Sequence, residues 1–369
     1  MKINKKIFSY FLICLIGMVT FILIQLCKEN PLIVEKIYSN YIFLLIARVL
    51  SKLFSKIPFS LWEFIYVGLL VFPVIIFFKF IYMLIKHRKN LKIKLIKHTK
   101  ACLIILLLGY FLFNILWGIN YYREPIATSM EHENEQYKKD DLINLCKEFL
   151  IITNGLRDNL KEDINGNFTL SMEFSQLSNE VEDGYKYFKV DNKPLDVKYN
   201  NTKPVTLSKF MSYTGITGMY SPFTGEANVN IDIPSTTLPV TIAHEQAHQR
   251  GIAREEEANY LAYLACVNSP NKELQYSGYY LALTYLMNDL YSIDKEAYQE
   301  IKKLYSNKLI RDINFSNNYW KNHEGFVEKV WNKANDSYLK ANNQSAGAAS
   351  YGLMTKLLLG EYKSNLINK

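Results

Sequence analysis

TIAHEQAHQRGIAREEEANYLAYL, residues 241–264, holds two of the chain's six histidines, four positions apart, with a glutamate directly after the first. Three consecutive glutamates begin seven residues past the second histidine. Pro234 ends the stretch before it, Thr236 or Thr237 can cap a helix, and Pro239 suits a first turn. That helix is expected to run to Arg250, with Gly251 as its stop. Residues four apart on a helix differ by roughly 40° in azimuth, so His244 and His248 point the same way, one turn apart. Two imidazoles so placed reach one ion with nitrogens at about 2 Å. Glu245, rotated roughly 100° from His244, falls beside the ion. There a carboxylate can take a proton from an attacking water and pass it to a leaving amine. Histidine pairs on helices are most often merely solvated. Here the H-E-x-x-H order, a short strand before it and nearby acids favour the metal.

A tetrahedral site needs a third protein donor and an open position. Three residues past Gly251, where HExxHxxGxxH would carry another histidine, stands Arg254, which cannot ligate. The choice falls to Glu255, Glu256 and Glu257. Glu255 shares a helix face with Ala258, Asn259, Ala262, Ala265 and Cys266, nearly all small, which lets that helix approach the HEQAH helix closely. Glu257 shares a face with the bulkier Tyr260, Leu261 and Leu264. Glu255 is therefore favoured as the third ligand, with Glu257 next. Asn259, one turn on, can hydrogen-bond a ligand imidazole from behind.

The first 120 residues read differently. IFSYFLICLIGMVTFILIQLC (7–27), LWEFIYVGLLVFPVIIFFKFIYMLI (61–85) and ACLIILLLGYFLFNILWGI (101–119) are each long enough to cross a bilayer as a helix. No small-residue cleavage site follows the first, which is read as retained. Trp117, Tyr121 and Tyr122 are expected to form an interfacial belt. Residues 31–58 are read as a helix lying in the interface, with Arg48, Ser51, Lys52, Ser55 and Lys56 at helical spacing. The net charge of +8 owes much to KHRKNLKIKLIKHTK (86–100), between two spans. Such a block sets topology rather than binding nucleic acid. With the N-terminus and this block inside, everything from about 122 onward lies on the extracytoplasmic side. Five cysteines show no CxxC and no Cys-His pairing, so no thiolate metal site is indicated.

Helical periodicity marks 138–153, 171–186 and 271–309, and loops are expected at 164–167 and 199–203. ANVNIDI (227–233) alternates and reads as a half-buried strand. As a sheet edge it would hold a peptide strand, with Asn228 and Asn230 as substrate-binding residues; a plain structural strand is equally compatible. Tyr338, Tyr351, Lys340 and His323 are possible oxyanion donors by residue type, and none is assigned. His132 reads as a surface residue.

HEQAH followed by E-x-x-A-N (Glu255 to Asn259) resembles the gluzincin-type zinc metallopeptidases, in which a second helix carries the ligand glutamate. The three spans, SPFTGEANVN (221–230), HEQAHQRGIAREEEAN (244–259) and NDSYLKANNQ (335–344) resemble, over most of the length, a bacterial family of predicted membrane-anchored zinc peptidases. The resemblance implies a zinc site and a peptidase fold, and no particular substrate. The expected class is α+β, mostly helical: a membrane domain (1–122), then an extracytoplasmic zincin-like metallopeptidase domain with a small sheet (123–369). The expected activity is zinc-dependent (Zn2+) hydrolysis of peptide or protein substrates at a membrane, with Glu245 as general base. The alternative is a membrane sensor or assembly protein that uses such a domain for binding and has no need of Glu245. Cleavage inside the bilayer is disfavoured, because HEQAH lies far from the apolar runs.

Overall fold

A computed structural model describes residues 5–86, 91–129, 138–190, 193–344 and 353–367. The chain opens with α1 (Lys5–Glu29), α2 (Pro31–Ile33), a π-helical stretch Val34–Ile42 and α3 (Phe43–Phe54). Then come α4 (Leu61–Lys86), α5 (Leu91–Leu116) and 3-10 turns at Gly118–Tyr122 and Ile126–Ser129. The second half holds α6 (Lys139–Arg157), α7 (Phe174–Gly184), β1 (Thr202–Pro204), α8 (Ser208–Ser212), β2 (Gly218–Ser221) and β3 (Glu226–Val229). It continues with α9 (Leu238–Gln249), α10 (Glu255–Val267), α11 (Lys272–Ile293), α12 (Lys295–Lys302), α13 (Asn307–Lys321), α14 (Phe326–Ala341) and α15 (Met354–Ile367). The class is mostly helix with one small sheet. The expected helix over 271–309 is interrupted where Asp294 leaves α11 and caps α12 through Ala297 N, and again where Ser306 caps α13.

Tyr10–Glu29, Pro31–Phe54, Leu61–Lys86 and Ile93–Leu116 are long and apolar enough to cross a membrane. They are not alike. Of the second, 33% is buried inside the protein, against 6%, 0% and 6% for the others. Its first half is held by Glu35, which pairs with Arg123 at 2.6 Å and Lys193 at 2.8 Å. Near its other end Ser51 Oγ donates to the Gly225 carbonyl at 3.3 Å, and Lys203 Nζ to the carbonyls of Ser55 and Ile57. The segment thus runs along the second half of the chain from end to end instead of leaving it. The ends of α1 and α5 and the start of α4 meet the same body. α4 is fastened there by Glu226, whose carboxylate accepts from Leu61 N (3.2 Å) and Trp62 N (3.1 Å). Helix α5 starts ten residues before the expected span and takes in part of the basic block; residues 87–90 of that block lie outside the described residues.

The sheet order is β1-β3-β2, with β1 parallel and β2 antiparallel to β3. The strand expected at the edge is therefore the central one, and β1, at the end of an expected loop, pairs on its other side. Helix α9 packs across β2 and β3, and α10, α11 and α6 stack behind it. Leu177, Ile242, Leu261, Leu274 and Leu286 are wholly buried in this core. Each contributes roughly 1.5–3 kcal/mol relative to an exposed side chain.

A His-His-Glu cluster at the α9–α10 junction

Helix α9 follows Thr237, carries Pro239 in its first turn and ends at Gln249. Gly251 takes φ +80°, a conformation other residues rarely adopt, and a Cβ there would meet Phe43 Cδ1 at 2.8 Å. The turn is locked from outside, because Arg123 Nη1 donates to the Gly251 carbonyl at 2.7 Å. It delivers the chain into α10, whose Ala258, Ala262, Ala265 and Cys266 are completely buried. Side-chain donors of α9 and of its C-cap Arg250 that do not face the cluster bind other parts of the fold. Gln246 donates to Ser178 O and Thr202 Oγ1, Gln249 to Gly225 O, and Arg250 to the Leu195 and Val197 carbonyls. The helix is thereby fixed in rotation as well as in position.

His244 Nε2 lies 3.2 Å and His248 Nε2 3.8 Å from the Glu255 carboxylate. One donor atom from each of the three residues falls within 4.8 Å of the other two. Donors at about 2.0–2.1 Å from a tetrahedral ion sit roughly 3.3 Å apart, so these separations fit a divalent cation. The far nitrogens agree. His244 Nδ1 meets Asn259 Oδ1 at 2.9 Å, and His248 Nδ1 meets the Ile252 carbonyl at 2.6 Å. A carbonyl oxygen only accepts, so His248 carries its proton on Nδ1 and turns a lone pair toward Glu255. Burial, with the neighbouring His244, pushes the His248 pKa down to about 4 and keeps it neutral. Burial also lowers His244, but the hydrogen bond and charge of Glu255 outweigh it and raise the pKa to about 9. His244 thus holds a proton toward Glu255 while His248 turns a lone pair to it, and a cation at that point would take the place of the His244 proton.

Glu245 is 3% exposed, and its Oε2 is buried with no hydrogen-bond partner among the described residues. Burial raises its pKa to about 8, against the charge of His244 and with the help of Glu255. An unmatched buried carboxylate oxygen costs free energy unless a ligand completes it. It lies against β2, where a Cβ on Gly218 would come 2.6 Å from Glu245 Cγ.

The remaining expectations fall on both sides. Glu257 is turned away from the histidines, its Oε1 accepting from Ile126 N at 2.8 Å. Glu256 Oε2 accepts from Gln344 at 3.1 Å. Asn259 is at His244 as expected, and its Nδ2 donates to Tyr285 Oη at 3.2 Å. Asn228 and Asn230 are completely buried and spent internally. Asn228 accepts from Ser60 Oγ at 2.6 Å and Asn230 donates to Ser212 Oγ and the Ile216 carbonyl, so neither side chain is open to a substrate. Asn228 lies on the central strand, whose two flanks are already paired, and Asn230 follows just past its end. Trp117 and Tyr121, expected to face lipid, are 4% and 3% exposed. Trp117 sits edge-on to His248, ring centroids 5.6 Å apart, and Tyr121 Oη donates to Tyr338 Oη at 3.2 Å. His323 Nδ1 faces the Tyr319 carbonyl at 2.8 Å, and Lys340 pairs with Asp336 on the exposed side of α14. His132 and Tyr351 lie outside the described residues.

The class these features define is a mostly helical chain with apolar N-terminal helices and a helix-borne His-His-Glu cluster. Residues 38–359 match the family described as "Protein of unknown function (DUF3810)", and the chain belongs to that family. The match takes in the docked segment from Tyr38 as well as the helices of the cluster. Neither the curated proteins nor the solved structures compared give a match.

Proposed function

We propose that this chain is a membrane-anchored zinc-dependent endopeptidase whose catalytic domain lies on the extracytoplasmic side. The observation that carries the reading is the convergence of His244 Nε2, His248 Nε2 and the Glu255 carboxylate, with Glu245, whose Oε2 has no partner among the described residues, beside them. Zinc bound by these three residues would supply Lewis acidity and a nucleophilic water at neutral pH. His244 and His248 hold their Nε2 atoms in place through Asn259 and the Ile252 carbonyl, which fix the tautomers. Glu245 accepts the proton of the attacking water and returns it to the leaving amine. β2, an edge strand against Glu245, offers its backbone to a peptide added antiparallel. The hydroxyls of Tyr121 and Tyr338, paired with each other, are the donors we assign to the developing oxyanion. Helices α1, α4 and α5 cross the bilayer, and the segment 31–54 lies on its outer surface beneath the domain. The basic termini of α4 and α5 are at the ends away from the domain, which supports an outward-facing site.

The test is zinc content and proteolysis of the purified full chain in detergent, wild type against Glu245→Gln. The expected result is zinc in both and cleavage of casein only by the wild type. Zinc in both with equal cleavage, or cleavage by neither, would remove the peptidase reading and leave a metal-stabilised binding module.

A further inference from the structure

Helix α14 makes two ring contacts with the apolar helices. Trp331 packs edge-on to Tyr66 of α4 at 6.1 Å, and Tyr338 against Phe113 of α5 at 6.3 Å. Tyr66 is five residues inside the start of α4, and Phe113 three residues from the end of α5. At 1.5 Å per residue these positions lie roughly 4–8 Å inside the helix ends, the thickness of one headgroup layer. The rest of the apolar side of α14 is bare: Phe326 is 83% exposed, Val327 55% and Val330 53%. At 100° per residue these three share an arc of about 140° with Trp331 and Tyr338, and Lys329, Lys333 and Lys340 border it. The neighbouring α8 continues the surface with Phe210, 73% exposed. It is tied to α4 through Leu207 N, which donates to Glu63 Oε1 at 2.9 Å. The turn after it meets α14, where a Cβ on Gly215 would lie 3.3 Å from Glu328 Cγ.

We propose that α14, with Phe210 beside it, lies in the headgroup–acyl boundary of the bilayer that α4 and α5 enter. The proposal rests on those two helices being membrane-spanning. Lipid is the occupant because the bare face is continuous with the flanks of α4 and α5 at headgroup depth. An aromatic tip, aliphatic stripe and lysine border are what such a position requires. The same helix carries Tyr338, which accepts from Tyr121, so the element touching lipid is tied to the turn that follows α5.

The test uses the full chain with Cys14, Cys27 and Cys102 changed to serine, leaving the buried Cys146 and Cys266. Single cysteines at Phe326→Cys, Val330→Cys, Val71→Cys in α4 and Ile164→Cys in a fully exposed distal turn carry an environment-sensitive fluorophore. The protein is placed in phosphatidylethanolamine–phosphatidylglycerol vesicles with or without brominated acyl chains. Positions 326 and 330 should lose emission to the brominated lipid, as position 71 does, and resist aqueous iodide, while 164 shows the reverse. If 71 responds to the lipid and 326 and 330 behave like 164, the proposal is overturned while the spans stand. Quenching of 326 and 330 by neither agent would mean that protein covers the face, and also overturns it. A span position that ignores the brominated lipid would remove the membrane reading itself.

Discussion

Among the buried ionic clusters of the described residues, the one around Asp312 and the one at the α9–α10 junction are finished to different degrees. Around Asp312 every lone pair is used. Its Oδ2 accepts from Arg157 Nε (2.6 Å) and Tyr276 Oη (2.6 Å), its Oδ1 from Phe168 N (2.8 Å) and Arg157 Nη2 (3.3 Å). That cluster ties α6, α11 and α13 together and asks for nothing more. At the α9–α10 junction the second nitrogens are anchored just as well, but both Nε2 atoms face one carboxylate, and Glu245 Oε2 has no partner among the described residues. Burial alone therefore does not mark a site. An unpartnered atom does not mark one either, since Glu257 Oε2 and Tyr220 Oη are also buried without a partner among the described residues; what marks the junction is that donor atoms of two imidazoles and a carboxylate converge within 4.8 Å.

The sharpest break of this contrast comes from Glu245→Gln. The amide keeps size and burial but cannot act as a base. Peptide hydrolysis should fall by about 10²–10⁴-fold with zinc content unchanged, read by casein cleavage and elemental analysis of the same sample. Asp312→Ala should do the opposite. It leaves the Arg157 guanidinium buried without its main partner and should cost about 3–5 kcal/mol of stability, seen in thermal unfolding, while zinc per folded chain stays the same. If Asp312→Ala lowered the zinc content of folded protein, the two clusters would not be separable.

Gly218→Ala is a finer probe. The added methyl has no room beside the Glu245 carboxylate and must push it from its place. A displacement of about 1 Å at a reacting group costs roughly 10²-fold in rate. Hydrolysis should fall by about that much, with zinc retained and unfolding little changed. Equal losses of zinc and activity would place Gly218 among the supports of the metal instead.

The cluster was legible because its geometry is local. One turn between His244 and His248 follows from helix repeat alone, and the small face Ala258–Ala262–Ala265 shows which side of α10 comes close. The half-buried strand expected over 227–233 was legible only at its start: β3 is Glu226–Val229, buried at all four positions, Asn230 is buried and Ile231 exposed, and the strand is the centre of the sheet. Its alternation says nothing about neighbours, and β1 is three residues with a proline at its end. Trp117 and Tyr121 were misplaced for a related reason. An amphipathic ring after an apolar run suits a lipid interface and a buried polar site equally, and only the fold of 31–54 over the α9–α10 turn decides between them. The Ile252 carbonyl that orients His248 has no signature in the sequence, since any residue would supply it. Gly218 could be read as a close approach of backbone, but not of which partner.

Asn259 tests the contrast at its smallest. Its Oδ1 holds His244 Nδ1 at 2.9 Å, and its Nδ2 leans on Tyr285 Oη, so it completes one ring's far side as the Ile252 carbonyl completes the other's. Asn259→Ala removes the acceptor, lets the imidazole turn and should weaken zinc binding by about 10–100-fold in competition with a chromogenic chelator. Asn259→Asp keeps an acceptor at the same distance and should restore most of that affinity, which a purely packing role would not do. If both substitutions weaken binding alike, the anchoring of His244 comes from the fold around it, and the likeness between the two clusters ends at the ligand rings.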